Sequence, residues 1–584
     1  MNEKNETKLA IERSQRLLKE RIEILSLSPE NRLNRILEHP QPAALVHSFP
    51  EEDMHFLIHD IGLQDSLPIL ALASDKQKEF LLDIETWEKD RIDIPSATKW
   101  LDLMLQADPK RLIKWLIDEK IEFLEFYLRN NIDIRIREYD QDPSDFEDEY
   151  ITLDDIVYVK IIDMPVLSDS QEVEEKQRKE FLNRFLRQLS SYDFQTYRNI
   201  LVESTGIIAT EIEEEDYRLR NVRLAEKGFL PFDEAIGIYQ PIKPQDLKAK
   251  YPKTDWLLDK NSSLPVPLYH TGMLEEDTLF TRALFQIKDE AILQRLQVEF
   301  ASLSNQIASA DQKKITSKEE LKDIVKKACA YLSIGLEKLA IEENSKENQE
   351  IISATFIQRY PLADLFRVGF GLALALKWQA DKWMKQSWFA NQGLTLSFWG
   401  EEWLGVLGGL FIKKPLFYDN YKTTDQLYRE FSSVQDIQET ENSLNEIIEV
   451  DNLLSLMNIK IQTTFEGSLS LKNLILTLWA RDCLGKSDEV LPVKIIDFTN
   501  FYEYLFSEKP AKTQDIKKGK TISKAVKEAF LSWLSKRSGL PDHDISQKLG
   551  QTLENLFTEI ESEYGNVLAQ DLDPRYVYHF LLEE

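Results

Sequence analysis

Apolar residues in the first 130 positions recur at three- and four-residue steps within short runs. Leu9, Leu17, Leu18, Ile22 and Leu25 stand near helical spacing among charges, which predicts an amphipathic lead-in helix over residues 8–25. Pro42, Pro50, Asp65, Ser74, Pro95 and Pro109 then open successive stretches, the last ending near Leu128. Proline suits a first helical turn, where the N–H it lacks would have no intrahelical acceptor, and serine or aspartate caps the same turn. Helices this short cannot bury an apolar stripe alone and must stack on neighbours. The expected fold is mainly α, opening in a solenoid-like array of stacked short helices across residues 1–131.

The period then changes. Ile132, Ile134 and Ile136 alternate with Asp133, Arg135 and Arg137, and after an acidic stretch (DQDPSDFEDEY) the segment ITLDDIVYVKIID resumes β-branched and aromatic residues. A β-hairpin or small sheet with an acidic loop is expected over residues 132–169. Helical texture returns from 170, with Phe181, Phe185 and Leu189 on one stripe. Pro231, Pro241, Pro244, Pro252, Pro265 and Pro267 mark an irregular connection over 228–272, within a central helical region of residues 170–340. Polar stretches at 309–320 and 341–350 are expected as loops or a linker near the middle of the chain, followed by a C-terminal helical domain over 341–584 in which 507–520 is a mobile loop.

Within that last block lies a concentration of large and small residues. Trp378, Trp383, Trp388, Trp399 and Trp403 fall in 26 residues, and seven glycines lie between Gly369 and Gly409. At ~100° per residue, positions 378, 383 and 388 stand about 140° apart in turn and cannot share one helix face. Lys377, Asp381, Lys382 and Lys385 interleave with them. Two roles fit this pattern. One is a core whose helices cross closely at Gly369, Gly371, Gly405, Gly408 and Gly409. The other is a protein interface anchored on the five tryptophans.

Composition narrows the function classes. Hydrophobic residues make up 42% of the 584, enough for sizeable cores. The formal charge of −29 repels phosphate backbones and anionic membranes, and the longest basic run, Lys517-Lys518-Gly519-Lys520, is too short to offset it. A nucleic-acid partner is therefore not expected. Two cysteines, Cys329 and Cys483, make neither a disulfide framework nor a thiolate cage. The opening residues MNEKNETK have no signal-peptide core, and the apolar run Val368–Leu376 is half the length of a span, so no membrane insertion and a cytoplasmic location are expected.

Several motifs invite chemistry. Ala480 to Ser487 (ARDCLGKS) meets a loose phosphate-loop pattern after an apolar stretch, LILTLW, that would serve as the strand; its bulky intervening residues and Pro492 argue against that loop. His55 and His59 stand one helical turn apart with His47 upstream, as divalent-metal ligands do, without the HExxH glutamate or an identified third ligand. Met54, Leu57, Ile58 and Ile61 define the buried face there, which leaves the histidines at its solvated edge. Asp140, Asp142, Ser144, Asp145 and Asp148 begin like a calcium loop, but Asp145 stands where glycine is needed and Ile151 where glutamate is. Glu211 and Glu213 to Asp216 have Arg218, Arg220 and Arg223 at hand to neutralise them. No nucleophile elbow or Cys–His pairing occurs, and neither catalytic residues nor a cofactor are expected.

The stretch Pro42 to Asp83, with its Phe-Pro-Glu-Glu-Asp turn before Leu57-Ile58 and its Ser74-x-x-Gln77 turn before Phe80-Leu81-Leu82, resembles the N-terminal helical domain of MgtE-type magnesium transporters. The transporter's membrane domain has no counterpart in the chain. More broadly, the helical opening, Arg220 to Tyr239 and Gly405 to Tyr418 resemble a family of uncharacterised bacterial proteins known as a domain of unknown function. That resemblance implies a stacked-helix fold and no particular activity. The expected function is a cytosolic scaffold or adaptor that binds another protein. The alternative is a nucleotide- or divalent-metal-dependent regulator or enzyme.

Overall fold

Capping chemistry fixes where the short helices start. In this computed structural model, which describes residues 13, 16–147, 149–165, 169–249, 253, 267–272, 274, 277–343, 348–461, 469–506 and 520–584, the lead-in helix covers residues 16–26. Behind it come α1 (Pro29–Leu37), α2 (Pro42–Ser48), α3 (Glu51–Ile61), α4 (Leu67–Leu72) and α5 (Asp75–Glu85). A two-rung hairpin, β1 (Trp87–Glu88) with β2 (Arg91–Ile92), turns the chain into α6 (Ile94–Ala107), α7 (Pro109–Glu119) and α8 (Ile121–Asn131). Ser74 caps α5 reciprocally with Gln77, whose amide also donates to the Val46 and Phe49 carbonyls at 2.8 and 3.0 Å. One side chain thus starts a helix and ties it to the end of α2. Asp93 and Asp108 cap α6 and α7 in the same manner.

The alternating isoleucines form β3 (Ile132–Ile136), which pairs antiparallel with β5 (Val157–Ile161), and β4 (Ile151–Thr152) adds to the other edge of β5. Ile132 opposes Ile161, Ile134 opposes Val159 and Ile136 opposes Val157. Helices α9 (Asp169–Tyr192), α10 (Phe194–Ser204) and α11 (Ala209–Ala225) follow. Trp100, Tyr127, Phe181 and Phe185 form the buried centre shared by the array, the sheet and α9. Of the proline-rich connection, Pro252 and Pro265 lie outside the described residues, as does 507–519 of the polar stretch near the C-terminus. Helices α12 (Leu268–Gly272) and α13 (Glu290–Ala310) complete what the site needs.

The chain divides into two compact units. The first comprises Met1–Gln240, Pro244–Leu332 and Leu339–Arg367; the second comprises Pro241–Lys243, Ser333–Lys338 and Val368–Glu584. The second unit holds the C-terminal turns of α14 (Leu362–Met384), then α15 (Trp388–Asn391), α16 (Glu401–Phe411), the hairpin β6 (Phe417–Tyr418) with β7 (Tyr428–Arg429), α17 (Val434–Leu456) and α18 (Leu471–Cys483). Beyond it, β8 (Val493–Lys494) pairs in parallel with β9 (Leu582–Glu583), and α19 (Ile495–Leu505), α20 (Lys524–Ser538) and α21 (Asp542–Tyr564) surround Trp479. The fold is mainly α with small sheets. No helix among the described residues is long and apolar enough to cross a membrane.

The glycines of α16 do not serve a crossing of helices. A Cβ at Gly405 would lie 2.3 Å from the Tyr418 ring, at Gly408 2.6 Å from the Tyr428 hydroxyl, and at Gly409 2.5 Å from the Leu416 carbonyl oxygen. They let the β6–β7 hairpin lay its tyrosines on the helix backbone, and Tyr428 donates its hydroxyl to the Gly405 carbonyl at 3.0 Å. Arg429 then joins Asp419 at 2.9 Å and Asp436 at 2.7 Å, which fastens the hairpin to the start of α17.

Candidate functional site

Helix α3 begins after Pro50 with three carboxylates in its first turn and carries His55 and His59 on one face, four residues apart. That face is not solvated, contrary to the amphipathic reading of α3: His55 is 3% exposed, with Phe80 of α5 against its ring, and Trp100 of α6 packs on His59. The last residue of α5 supplies the group between the histidines. Glu85 Oε1 accepts from His55 Nε2 at 2.7 Å and from His59 Nε2 at 2.8 Å, and the imidazole rings stand 4.6 Å apart. Its Oε2 faces the Lys314 ammonium at 2.9 Å, and the same ammonium donates to the Glu85 backbone carbonyl at 2.9 Å. Among the described residues, His55, His59 and Glu85 bring one potential metal-ligand atom each to within 4.8 Å of one another.

Burial and bonding set the charges there. Burial pushes the Glu85 carboxyl up, but the bonds from His55, His59 and Lys314 more than reverse it and hold the group ionised, well below the usual carboxylate range. Burial pulls His55 below its ordinary value and outweighs the attraction of Glu85, which keeps the imidazole neutral. A carboxylate and a neutral imidazole, the states in which Glu85 and His55 are held, are those that ligate cations.

A second buried carboxylate sits two residues before His55. Asp53 accepts the Leu268 and Tyr269 amides, both oxygens at 2.9 Å from Leu268 N, and so holds the start of α12. Burial pushes its carboxyl up to about 7 against the pull of those amides. On α12, His270 is fully buried and donates Nε2–H to Asn305 Oδ1 at 3.0 Å. Burial holds its pKa at about 4. Its neutral form belongs to the fold, so the unfolded chain takes up the proton first as pH falls below about 6.5. Stability from this group is complete above that pH and is lost on acidification toward 4. Unfolding free energy of the wild type should therefore rise between pH 4.5 and 6.5 more steeply than that of His270→Gln, by up to about 1.4 kcal/mol per pH unit. Parallel profiles from urea titrations across that range would show that His270 titrates normally.

The other sequence candidates are placed elsewhere. The apolar stretch before Ala480 is helix α18 and not a strand, with Gly485 at φ +65 ending it. The amides a phosphate would need are already spent: Leu484 donates to Ala480, Gly485 to Asp482 and Lys486 to Arg481. Lys486 pairs with Asp497 at 2.5 Å. The phosphate-loop geometry is absent because a helix C-terminus consumes donors that a helix N-terminus would present. In the acidic loop, Asp142 caps a short turn through Ser144 and Glu147 pairs with Lys160, while Asp148 lies outside the described residues. Arg218 meets Glu215 locally, but Arg223 reaches Asp83 on α5 at 2.8 Å, and Arg220 donates to the Asp83 carbonyl. His47 bonds the Leu72 carbonyl.

The tryptophans surround a carboxylate of their own. Asp451 on α17 accepts from Trp383 Nε1 at 3.2 Å, from the Trp388 amide at 3.0 Å and from the Phe389 amide at 2.8 Å. Trp388 Nε1 donates to the Ile459 carbonyl, and Trp399 packs between Trp383 and Trp403 with ring centres 5.8 Å from each. Trp383, Trp388 and Trp399 are buried, Trp403 is half-buried and Trp378 is 53% exposed.

A family model described as a family of unknown function (DUF6178) matches residues 10–583. The chain belongs to that family. No curated protein and no solved structure matches it, and the MgtE-type likeness of residues 42–83 is not shown. In this DUF6178 chain two of the residues that sequence reasoning missed, Glu85 and Asp451, share one signal. Leu444, Ile447, Asp451 and Leu454 follow the i, i+3, i+7, i+10 stripe of a buried face, and Glu85 continues the stripe of Leu81 and Leu82. A carboxylate in the phase of a core stripe must meet donors, since a buried charge without partners is too costly to keep.

Proposed function

We propose that this DUF6178 protein is a cytosolic helical scaffold that binds another protein, with Trp378 as an anchor. The observation that carries the reading is the half-exposed indole on α14. Its neighbour Lys377 reaches the Leu410 and Phe411 carbonyls at the end of α16, and Ile412 follows there, also exposed. Tyr421 and Leu427, in the turn of the hairpin that packs on α16, are exposed too. Large apolar side chains held by a rigid backing are the usual anchors of protein interfaces. The buried tryptophans and Asp451 supply that backing. A net charge of −29 favours a protein with a basic surface over nucleic acid or an anionic membrane.

Trp378→Ala tests the reading. Capture from source cells with the wild-type chain and the variant, quantified by mass spectrometry, should show the wild type's stoichiometric partner reduced about 30-fold or more, as loss of a hot-spot residue does. The thermal midpoint should stay within a degree or two, because the indole contributes little to the core. Equal recovery by both proteins would refute Trp378 as the anchor.

A further inference from the structure

We propose that His55, His59 and Glu85 form a site for a divalent transition cation of the zinc class, and that Lys314 occupies its charge until the cation arrives. The reading stands apart from the scaffold role and uses residues of the first unit alone. Two imidazoles and one carboxylate are a donor set that zinc and cobalt take readily and that magnesium, which favours oxygen ligands and water, does not. Both Nε2 atoms converge on one carboxylate oxygen at 2.7 and 2.8 Å. Ligand atoms about 2.0–2.1 Å from a tetrahedral zinc stand about 3.3 Å apart. Lengthening the two imidazole–carboxylate pairs by about half an ångström, with the two ligand nitrogens, which already lie within 4.8 Å of one another, settling to the same spacing, would therefore admit the ion, each imidazole proton moving from Nε2 to Nδ1.

Lys314 shows what the triad lacks. The carboxylate of Glu85 is buried and requires a positive charge beside it, and Lys314 brings one to Oε2 from the loop between α13 and the next helix, Lys318–Glu343. Its side chain is 43% exposed, so it can leave for water at small cost, whereas Glu85 and His55 cannot. His59, 17% exposed, gives the approach from solvent and leaves the fourth position of the ion toward water. An ammonium beside a dication is repelled, and the 43% exposed lysine has water to move into. Cation binding is thus an exchange: the dication takes Oε1 and the two Nε2 atoms, and Lys314 and its loop are released from Glu85.

The test uses the full chain stripped with chelator and titrated with Zn²⁺ by calorimetry and with Co²⁺ by visible absorbance. One equivalent should bind at micromolar concentration or tighter, with the intense bands of tetrahedral cobalt. His59→Gln and Glu85→Gln should weaken binding by about 100-fold or more, since each removes a ligand. Lys314→Met keeps all three ligands, and with the competing charge gone it should bind zinc about tenfold tighter or better. A purely structural triad makes the opposite prediction for Lys314→Met: lower stability and no gain in affinity. The proposal is overturned by substoichiometric binding to the wild type, by equal binding to His59→Gln, by unchanged or weaker binding to Lys314→Met, or by a response to Mg²⁺ that matches the response to Zn²⁺.

Discussion

Asp451→Ala should lower the urea midpoint of the second unit by the equivalent of about 3–5 kcal/mol, followed by tryptophan fluorescence. The carboxylate accepts an indole N–H and two backbone amides in the interior, and deleting it strands all three. Each unsatisfied buried donor costs about 1–3 kcal/mol, which together exceeds what most single substitutions do. The amides of Trp388 and Phe389 open α15, so the helix that carries two of the stacked rings keeps only the Ser387 cap on the Ala390 amide. Asp451→Asn keeps one acceptor oxygen and should lose less than half as much. Asn452→Ala, on the exposed side of the same helix, should be neutral within about 0.5 kcal/mol. Similar losses at 451 and 452 would mean that helix propensity, and not donor satisfaction, governs the region.

Gly228→Ala should destabilise the first unit by about 2–5 kcal/mol. Gly228 has φ +85, a backbone region that costs a side-chain-bearing residue about 1–2 kcal/mol. A Cβ there would also lie 2.4 Å from the Ser302 carbonyl oxygen and 2.7 Å from its Cα. Those are backbone atoms of α13 and cannot swing aside, so overpacking adds about 1–3 kcal/mol. The flanking residue shows why the approach is so close: the Asn305 amide donates to the Lys227 carbonyl at 2.8 Å, and the Lys227 ammonium reaches Glu51 on α3. Gly206→Ala is the control. Its nearest neighbour would be 3.7 Å away, and it should change stability by no more than about 0.5 kcal/mol. Matching chemical-denaturation curves for the two alanine variants would reject the steric account.

Helix starts were legible because caps are local: Pro42, Ser74 and Pro109 lie within two residues of helices that begin at 42, 75 and 109. The alternation of Ile132, Ile134 and Ile136 likewise became a strand. What the sequence concealed depends on pairing across distance. The histidines look like an exposed edge until α5 and α6 close over them, and their third partner lies 26 residues beyond His59 at the end of another helix. Asp451 stands 63 residues from the amide of Trp388, with nothing local to announce the match. The glycines of α16 promised close approach without naming what approaches, and tyrosines of a two-rung hairpin fill that place. The ARDCLGKS string misled for a different reason. A pattern of residue types does not say which end of a helix it occupies, and only one end presents amides.

The Glu85–Lys314 contact spans 229 residues of chain, whereas the histidines and Glu85 all lie within the first 85. During synthesis at about 5–20 residues per second, the three ligand groups emerge roughly 10–50 s before the lysine does. A nascent chain therefore offers the triad to ions while nothing yet competes for its carboxylate. On the exchange proposed above, metal loading is easiest in that interval, and chains completed in a metal-poor cell close the triad with their own lysine.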